Sequence, residues 1–288
     1  MASWEDRYWT SRDGLKLHYR DYAGPADRPP VLCLHGLTRN TRDFENLAAR
    51  LAGEWRVIGV DFRGRGGSEF DTDSARYMPP TYAADVLQLL DELGIPEAVF
   101  IGTSLGGIVT MIVAGFAPQR IAGALLNDVG PELDKAGLDR IRGYVGKPLL
   151  FESWDDAADR LSAKYADVHP SYRRNEWLRY AKRVAHETPR GIEFDYDMTI
   201  AEPFNRMDDE AASAASAWPL FRGLAGKPVV ILRGESSDLL SEEVAQRMIE
   251  ALPDAELVTV HNVGHAPDFD EPESVASVDR LLKRVLDR

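Results

Sequence analysis

Val99-Phe100-Ile101-Gly102-Thr103-Ser104-Leu105-Gly106-Gly107 is the stretch that decides the fold of this chain. Its short apolar run predicts a buried strand, and the longer run of apolar and small residues at 108–116 predicts a buried helix. A strand that turns directly into a helix leaves Ser104 on a tight corner, with its hydroxyl above the strand ends. Because Gly102 and Gly106 remove side chains that would clash there, the pattern predicts a nucleophile elbow, although an ordinary glycine turn also fits it.

Short apolar strands alternate with amphipathic helices along much of the chain. This alternation predicts βαβ units and a parallel sheet, and the Asp13-Gly14 turn predicts an antiparallel hairpin near the N-terminus. The predicted strands lie at 7–10, 15–22, 31–34, 56–60, 99–101, 121–126, 229–232 and 256–260. The predicted helices lie at 43–51, 81–93, 108–116, 242–251 and 272–286.

The strand–helix alternation stops between Glu132 and Ala217, where charged helical segments predominate. We therefore expect an α/β core formed by residues 1–131 and 218–288, with a helical cap inserted at 132–217 and no strand predicted in it. The cap contains several aromatic residues that can either line an acyl pocket or, in the plainer interpretation, pack its helices together. They are Trp154, Tyr165, Tyr172, Trp177, Tyr180, Phe194 and Tyr196.

Composition narrows the classes of partner. The 288 residues contain 34 Lys and Arg against 47 Asp and Glu, and the resulting net charge of −13 disfavours nucleic acids and anionic membranes. The single cysteine, Cys33, excludes an intrachain disulfide and suits a reducing compartment. The polar N-terminal residues do not resemble a signal peptide, and no apolar run is long enough to span a membrane. We expect a cytoplasmic protein whose oligomeric state is open, a homodimer included.

Polar residues follow most of the predicted strands, at the edge where ligands bind in open α/β sheets. They are His35, Asp61, Ser104, Asp128, Asp238 and His265. A serine needs a histidine base, which in turn needs a carboxylate to orient it. The order Ser104, Asp238, His265 predicts a catalytic triad, since each residue follows a different strand.

The acid of this triad has an alternative in Asp128. We favour Asp238, because it follows the strand nearest in sequence to His265 and because the Ser236-Ser237 turn would present it. Asp128 would then brace the hinge at which the cap leaves the core.

Two backbone N–H groups, those of Leu37 and Leu105, are expected to form the oxyanion hole. His35 is expected to shape the loop that contains Leu37, and Asp61 to brace the loop at Arg63-Gly64. The remaining histidines (His18, His169, His186 and His261) are expected to be surface or core residues, and Cys33 to be inert packing. No cluster has metal-ligand spacing, so neither a metal nor a cofactor is expected.

These motifs together resemble the α/β-hydrolase superfamily. The resemblance covers nearly the whole chain and depends on five motifs, which are His35-Gly36, Asp61-x-Arg63-Gly64-x-Gly66-x-Ser68, Gly102 to Gly107, Gly234 to Asp238, and Gly264-His265. It implies a mostly parallel eight-stranded sheet flanked by helices, with an inserted cap. Capped bacterial esterases, lactonases and meta-cleavage-product hydrolases are the most similar groups. Epoxide hydrolases and haloalkane dehalogenases differ, because they have aspartate where this chain has Ser104.

We therefore expect a serine hydrolase that cleaves a small-molecule carboxylic ester or lactone through an acyl-enzyme. A carbon–carbon bond hydrolase or a cofactor-free perhydrolase would use the same triad. Meta-cleavage-product hydrolases commonly have a tryptophan directly after the catalytic histidine. Here Ala266 and Pro267 follow His265, which weakens the case for a carbon–carbon bond hydrolase. A ligand-sensing protein on the same fold is a more remote alternative.

Overall fold

The computed structural model describes residues 3–206 and 217–288. The strands in these residues are β1 (Glu5–Thr10), β2 (Lys16–Tyr22), β3 (Val31–Leu34), β4 (Val57–Asp61), β5 (Ala98–Thr103), β6 (Ile121–Asn127), β7 (Leu150–Phe151), β8 (Ala185–Thr188), β9 (Gly191–Phe194), β10 (Val229–Gly234) and β11 (Glu256–Val260). Eight of them form one sheet in the order β1-β2-β4-β3-β5-β6-β10-β11. Strand β2 pairs antiparallel with β1 and β4, and every other pair in this sheet is parallel. The predicted α/β-hydrolase sheet is thereby confirmed.

The α-helices in the described residues connect and cover these strands. They are α1 (Glu45–Leu51), α2 (Pro79–Glu92), α3 (Leu105–Phe116), α4 (Lys135–Arg142), α5 (Trp154–Tyr165), α6 (Arg174–Val184), α7 (Ala201–Arg206), α8 (Trp218–Arg222), α9 (Glu242–Ala251) and α10 (Pro272–Leu286). None of the helices in the described ranges has both the length and the apolar character that crossing a membrane requires.

The central strands are buried on both faces, because their side chains alternate between two apolar layers. On β3, Leu32 and Leu34 face the layer that includes α2, α3 and α9, whereas Val31 and Cys33 face the layer that includes α1 and α10. Burial raises the pKa of the Cys33 thiol well above its usual range, which agrees with its interpretation as inert packing.

The segment 132–206, which we call the cap segment, differs from its purely helical prediction. It contains α4 to α7 and also a small antiparallel sheet in the order β7-β9-β8. These strands are only two to four residues long, so their hydrophobic periodicity is weak. The helical character expected of this segment is present in helices such as α5 and α6, and Ser153 caps α5 by accepting a hydrogen bond from the Asp156 N–H. Residues 207–216 of the predicted cap lie outside the described residues.

Polar contacts attach the cap segment to the loops above the sheet. The Asn40 side chain donates to the Arg183 carbonyl at 2.8 Å, and Arg42 forms an ion pair with Asp195 at 2.6 Å. The Asp197 N–H donates to the Gly64 carbonyl at 2.8 Å. The cap segment is therefore held directly over the carboxyl ends of the parallel strands.

Candidate active site

Ser104 lies on the corner between β5 and α3, with φ 51° and ψ −113°. This backbone conformation is rare for a residue with a side chain, and the surrounding packing maintains it. A Cβ on Gly102 would lie 2.4 Å from the Gly106 carbonyl oxygen, and one on Gly106 would lie 2.0 Å from the Leu34 carbonyl oxygen. The two glycines therefore allow the close approach of strand and helix that presents the Ser104 hydroxyl.

His265 lies in the loop after β11, between Ser104 and Asp128. Its Nε2 is 3.0 Å from the Ser104 hydroxyl, and its Nδ1 is 2.7 Å from an Asp128 carboxylate oxygen. The Asp128 side chain is fully buried, and that of His265 is 9% exposed. Asp128 also accepts hydrogen bonds from the Gly234 N–H at 2.9 Å and the Ser237 hydroxyl at 2.6 Å. These two donors hold the carboxylate in place beneath the imidazole.

The expectation that Asp238 is the carboxylate partner of His265 is wrong. Arg140 on α4 makes two hydrogen bonds to the Asp238 carboxylate, one of them at 2.8 Å, and this pairing lowers the pKa of Asp238. The turn that was expected to present Asp238 instead supports Asp128, through the Ser237 hydroxyl. The physical reason is the strand order, because β6, which ends next to Asp128, lies between β5 and β10 in the sheet.

The loop after β3 brings Leu37 to the same site. Its neighbour Gly36 is close to the nucleophile, since a Cβ on Gly36 would lie 3.8 Å from the Ser104 Cβ. The Leu37 carbonyl accepts a hydrogen bond from Nε of the fully buried Arg65 at 2.9 Å, which anchors the loop immediately after the Leu37 N–H. Leu105 is the first residue of α3, a position at which a helix has no internal partner for its N–H.

The other polar residues at the strand ends have supporting contacts. His35 is fully buried, and burial lowers its pKa to about 4. Its Nε2 accepts from the Phe62 N–H at 3.1 Å, so Nδ1 carries the proton and donates to the Gly36 carbonyl at 2.7 Å. Asp61 accepts hydrogen bonds from the N–H groups of Thr41 and Gly67. These contacts match the expected loop-shaping role of His35 and the bracing role of Asp61.

Asn127 was not selected from the sequence, yet it connects two parts of the site. Its side-chain nitrogen donates to the Pro267 carbonyl at 2.8 Å and lies 3.1 Å from the Thr103 hydroxyl. It therefore ties the His265 loop to the strand that precedes Ser104. The one signal available in the sequence was its position at a strand end.

A cavity of about 130 Å³ opens between Ser104, His265 and the cap segment. Five of the seven cap aromatics considered in the sequence line it, whereas Trp154 and Trp177 pack in the apolar cluster of the cap segment. All of these residues except Tyr196 also pack in that cluster, so the expected packing of the cap is present, and most of the same residues line the cavity as well. The five aromatic residues that line the cavity are Tyr165, Tyr172, Tyr180, Phe194 and Tyr196.

The cavity wall contains several tyrosines and a histidine that burial keeps neutral. Burial raises the pKa of Tyr144 to about 12 and also raises the pKa values of Tyr165 and Tyr172, so all three hydroxyls keep their protons at neutral pH. Burial lowers the pKa of His169 to about 4, and its ring stacks on Tyr172 at 4.3 Å between centroids. Three arginines, described below, supply the cationic groups of the wall. No set of three histidine, cysteine or carboxylate side chains within residues 3–206 and 217–288 could hold a metal ion.

Comparisons with known proteins agree with this architecture. Residues 31–278 match the model of the alpha/beta hydrolase family. A crystal structure of an alpha/beta hydrolase from Novosphingobium aromaticivorans is 54% identical, covers 99% of both chains and superposes with a TM-score of 0.94.

Two relatives that are named as hydrolases are also similar along most of their length. The 3-hydroxybutyrate-oligomer hydrolase of Cupriavidus necator is 34% identical over 268 residues, which are 91% of this chain and 90% of the relative. The 2-(acetamidomethylene)succinate hydrolase of Mesorhizobium japonicum is 28% identical over 85% of this chain and 84% of its own. The chain therefore belongs to the alpha/beta hydrolase family and is a hydrolase.

Proposed function

We propose that the protein hydrolyses carboxylic esters or lactones through an acyl-enzyme on Ser104. The observation that carries this proposal is the continuous hydrogen-bond chain from Ser104 through His265 to Asp128 at the wall of the cavity. A serine hydroxyl is a weak nucleophile, so the imidazole must accept its proton as the carbonyl is attacked. Asp128 accepts the Nδ1–H, which leaves Nε2 free to act as that base.

In the first half of the proposed reaction, Ser104 Oγ bonds to the carbonyl carbon while its proton moves to His265 Nε2. The negative charge that develops on the carbonyl oxygen is stabilised by the N–H groups of Leu37 and Leu105. The imidazolium then gives its proton to the departing alcohol oxygen. In the second half, His265 takes a proton from water, the resulting hydroxide attacks the acyl carbon, and the acid leaves as Ser104 recovers its proton.

The choice of ester chemistry is supported by the relative from Cupriavidus necator, which is named as a hydrolase of 3-hydroxybutyrate oligomers. Those oligomers are joined by ester bonds between a hydroxyl and a carboxyl group. We also propose that residues 132–217 form the cap domain that selects the substrate, because the described cap residues supply much of the cavity wall.

The test is hydrolysis of p-nitrophenyl butyrate by wild type, Ser104→Ala and, as a matched control, Ser162→Ala on α5. We expect Ser104→Ala to abolish turnover and Ser162→Ala to retain it, with all three proteins folded by circular dichroism. A fluorophosphonate should add covalently to the wild-type peptide that contains Ser104. Substantial turnover by Ser104→Ala would refute the proposal, and faster turnover of a dienoic ring-cleavage product would replace ester with carbon–carbon cleavage.

A further inference from the structure

Three arginines line the cavity, and two of them are held by a carboxylate at hydrogen-bond distance. Arg39 makes two hydrogen bonds to Asp43, at 2.7 and 2.6 Å. Arg140 makes two hydrogen bonds to Asp238. A guanidinium held in this way keeps three of its five N–H donors, but the paired carboxylate already neutralises its charge. The third, Arg183, lies in a different environment.

Arg183 is the last residue but one of α6 and is only 9% exposed. Across residues 3–206 and 217–288 its guanidinium makes no hydrogen bond and forms only two long ion pairs, with Asp268 at 3.7 Å and Asp270 at 3.9 Å. Asp268 accepts a hydrogen bond from the Tyr172 hydroxyl instead. Arginine has five N–H donors, and among the described residues those of Arg183 are engaged only in the two long ion pairs. The cavity therefore contains a cation whose donors are available to a ligand.

Hydrogen bonds to its carbonyl hold the backbone of Arg183, so the point from which its side chain extends is fixed. The Arg183 carbonyl accepts hydrogen bonds from the Asn40 side chain at 2.8 Å and from Nε of Arg42 at 3.2 Å. Both donors come from the segment that follows the loop containing Leu37. A ligand that contacts Ser104 and Arg183 together would therefore lie between the core loop and α6, which these hydrogen bonds connect.

We propose that Arg183 binds a carboxylate of the substrate, so that the protein prefers esters carrying a free carboxylate away from the scissile bond. This proposal rests on the ester hydrolysis proposed above. A carboxylate matches the planar fork of a guanidinium and can accept two of its hydrogen bonds. A monoanion fits better than a phosphate dianion, because Asp43 and Asp268 also line the cavity and would repel the larger charge.

The experiment compares two esters with the same leaving group, p-nitrophenyl hydrogen glutarate and its neutral counterpart, p-nitrophenyl methyl glutarate. Wild type and Arg183→Gln are assayed with both. The control is Arg179→Gln, one turn earlier on α6, where the side chain is 60% exposed and pairs with Glu176. We expect Arg183→Gln to lower the ratio of kcat/KM for the charged over the neutral ester by about ten- to a hundredfold, mainly through KM. Arg179→Gln should leave this ratio unchanged.

An unchanged ratio in Arg183→Gln would overturn the inference while the ester hydrolase stands, provided that Ser104→Ala is inactive on both esters. If wild type hydrolyses neither of these esters nor p-nitrophenyl butyrate, the proposed function fails, and calorimetric titration of glutarate into wild type and Arg183→Gln tests the carboxylate site alone. If Arg183→Gln does not fold, the carboxylate site is tested by inhibition of the wild-type protein. Glutarate should then inhibit hydrolysis of the neutral ester more strongly than glutaramide does, and equal inhibition contradicts the inference.

Discussion

Replacing Asp128 with asparagine should inactivate the protein by changing the tautomer of His265. The Asp128 carboxylate has one oxygen on the Gly234 N–H at 2.9 Å and the other near both His265 Nδ1 and the Ser237 hydroxyl. An asparagine must keep its oxygen toward Gly234, because its NH₂ group would otherwise face another donor. Its NH₂ group is then directed at His265 Nδ1. The proton of the neutral ring moves to Nε2, which can no longer accept the Ser104 proton.

The size of the effect follows from the loss of the base. In a serine triad, the equivalent change of tautomer lowers kcat by about 10⁴, which is about 5 kcal/mol in activation free energy. Because the buried amide keeps partners for both of its ends, Asp128→Asn should fold with a modest loss of stability. The measurement is kcat for p-nitrophenyl butyrate together with a thermal melt.

Asp238→Asn provides the matched control. Its side chain and that of Arg140 are each about a third exposed, and partly exposed ion pairs contribute about 1 kcal/mol or less. We expect its kcat to stay within about threefold of wild type, since it removes no contact to His265. A greater loss of kcat in Asp238→Asn than in Asp128→Asn would refute the assignment of Asp128 as the acid.

Two further predictions concern stability. Gly106→Ala should lower the free energy of unfolding by about 3 kcal/mol in urea denaturation, because the added Cβ would lie 2.0 Å from the Leu34 carbonyl oxygen; wild-type stability would contradict this close approach. His169→Phe should remove an acid-dependent loss of stability. Burial lowers the folded pKa of His169 to about 4, so the unfolded chain takes up the proton first as pH falls below about 6.5. Between about pH 7.5 and about pH 4.5, wild type should lose about 2 to 3 kcal/mol more than the variant, and parallel stability curves would exclude this cause.

The parts of the site that were predictable depend on local chain geometry. The Gly102-x-Ser104-x-Gly106 pattern specifies its own turn, because the close contacts at that corner follow from a strand that leads directly into a helix. Most helices of the sheet layers were predictable for a similar reason, since an apolar face at helical spacing is visible in a single sequence.

The acid could not be chosen locally, because the choice depends on strand order. Asp238 is closer to His265 along the chain, but Asp128 follows the strand adjacent to that of the nucleophile. The arrangement of Arg183 was equally inaccessible, since its backbone partner Asn40 lies 143 residues away. The short cap strands offered one weak signal, the alternation of Ile192, Glu193 and Phe194 after a Pro189–Gly191 turn.

The hydrogen bond between Asn40 and the Arg183 carbonyl has a consequence for substrate length. The loop that presents Leu37 to Ser104 continues directly to Asn40, so one short stretch of backbone sets the spacing between the nucleophile and the guanidinium. With the role proposed for Arg183, this spacing sets the number of atoms between the reacting carbonyl and a distant carboxylate of the substrate. Moving Arg183 by one helical turn would change this spacing by about 5.4 Å, or roughly four bonds of the substrate chain. Relatives could therefore acquire longer or shorter substrates through α6 alone, with the catalytic groups untouched.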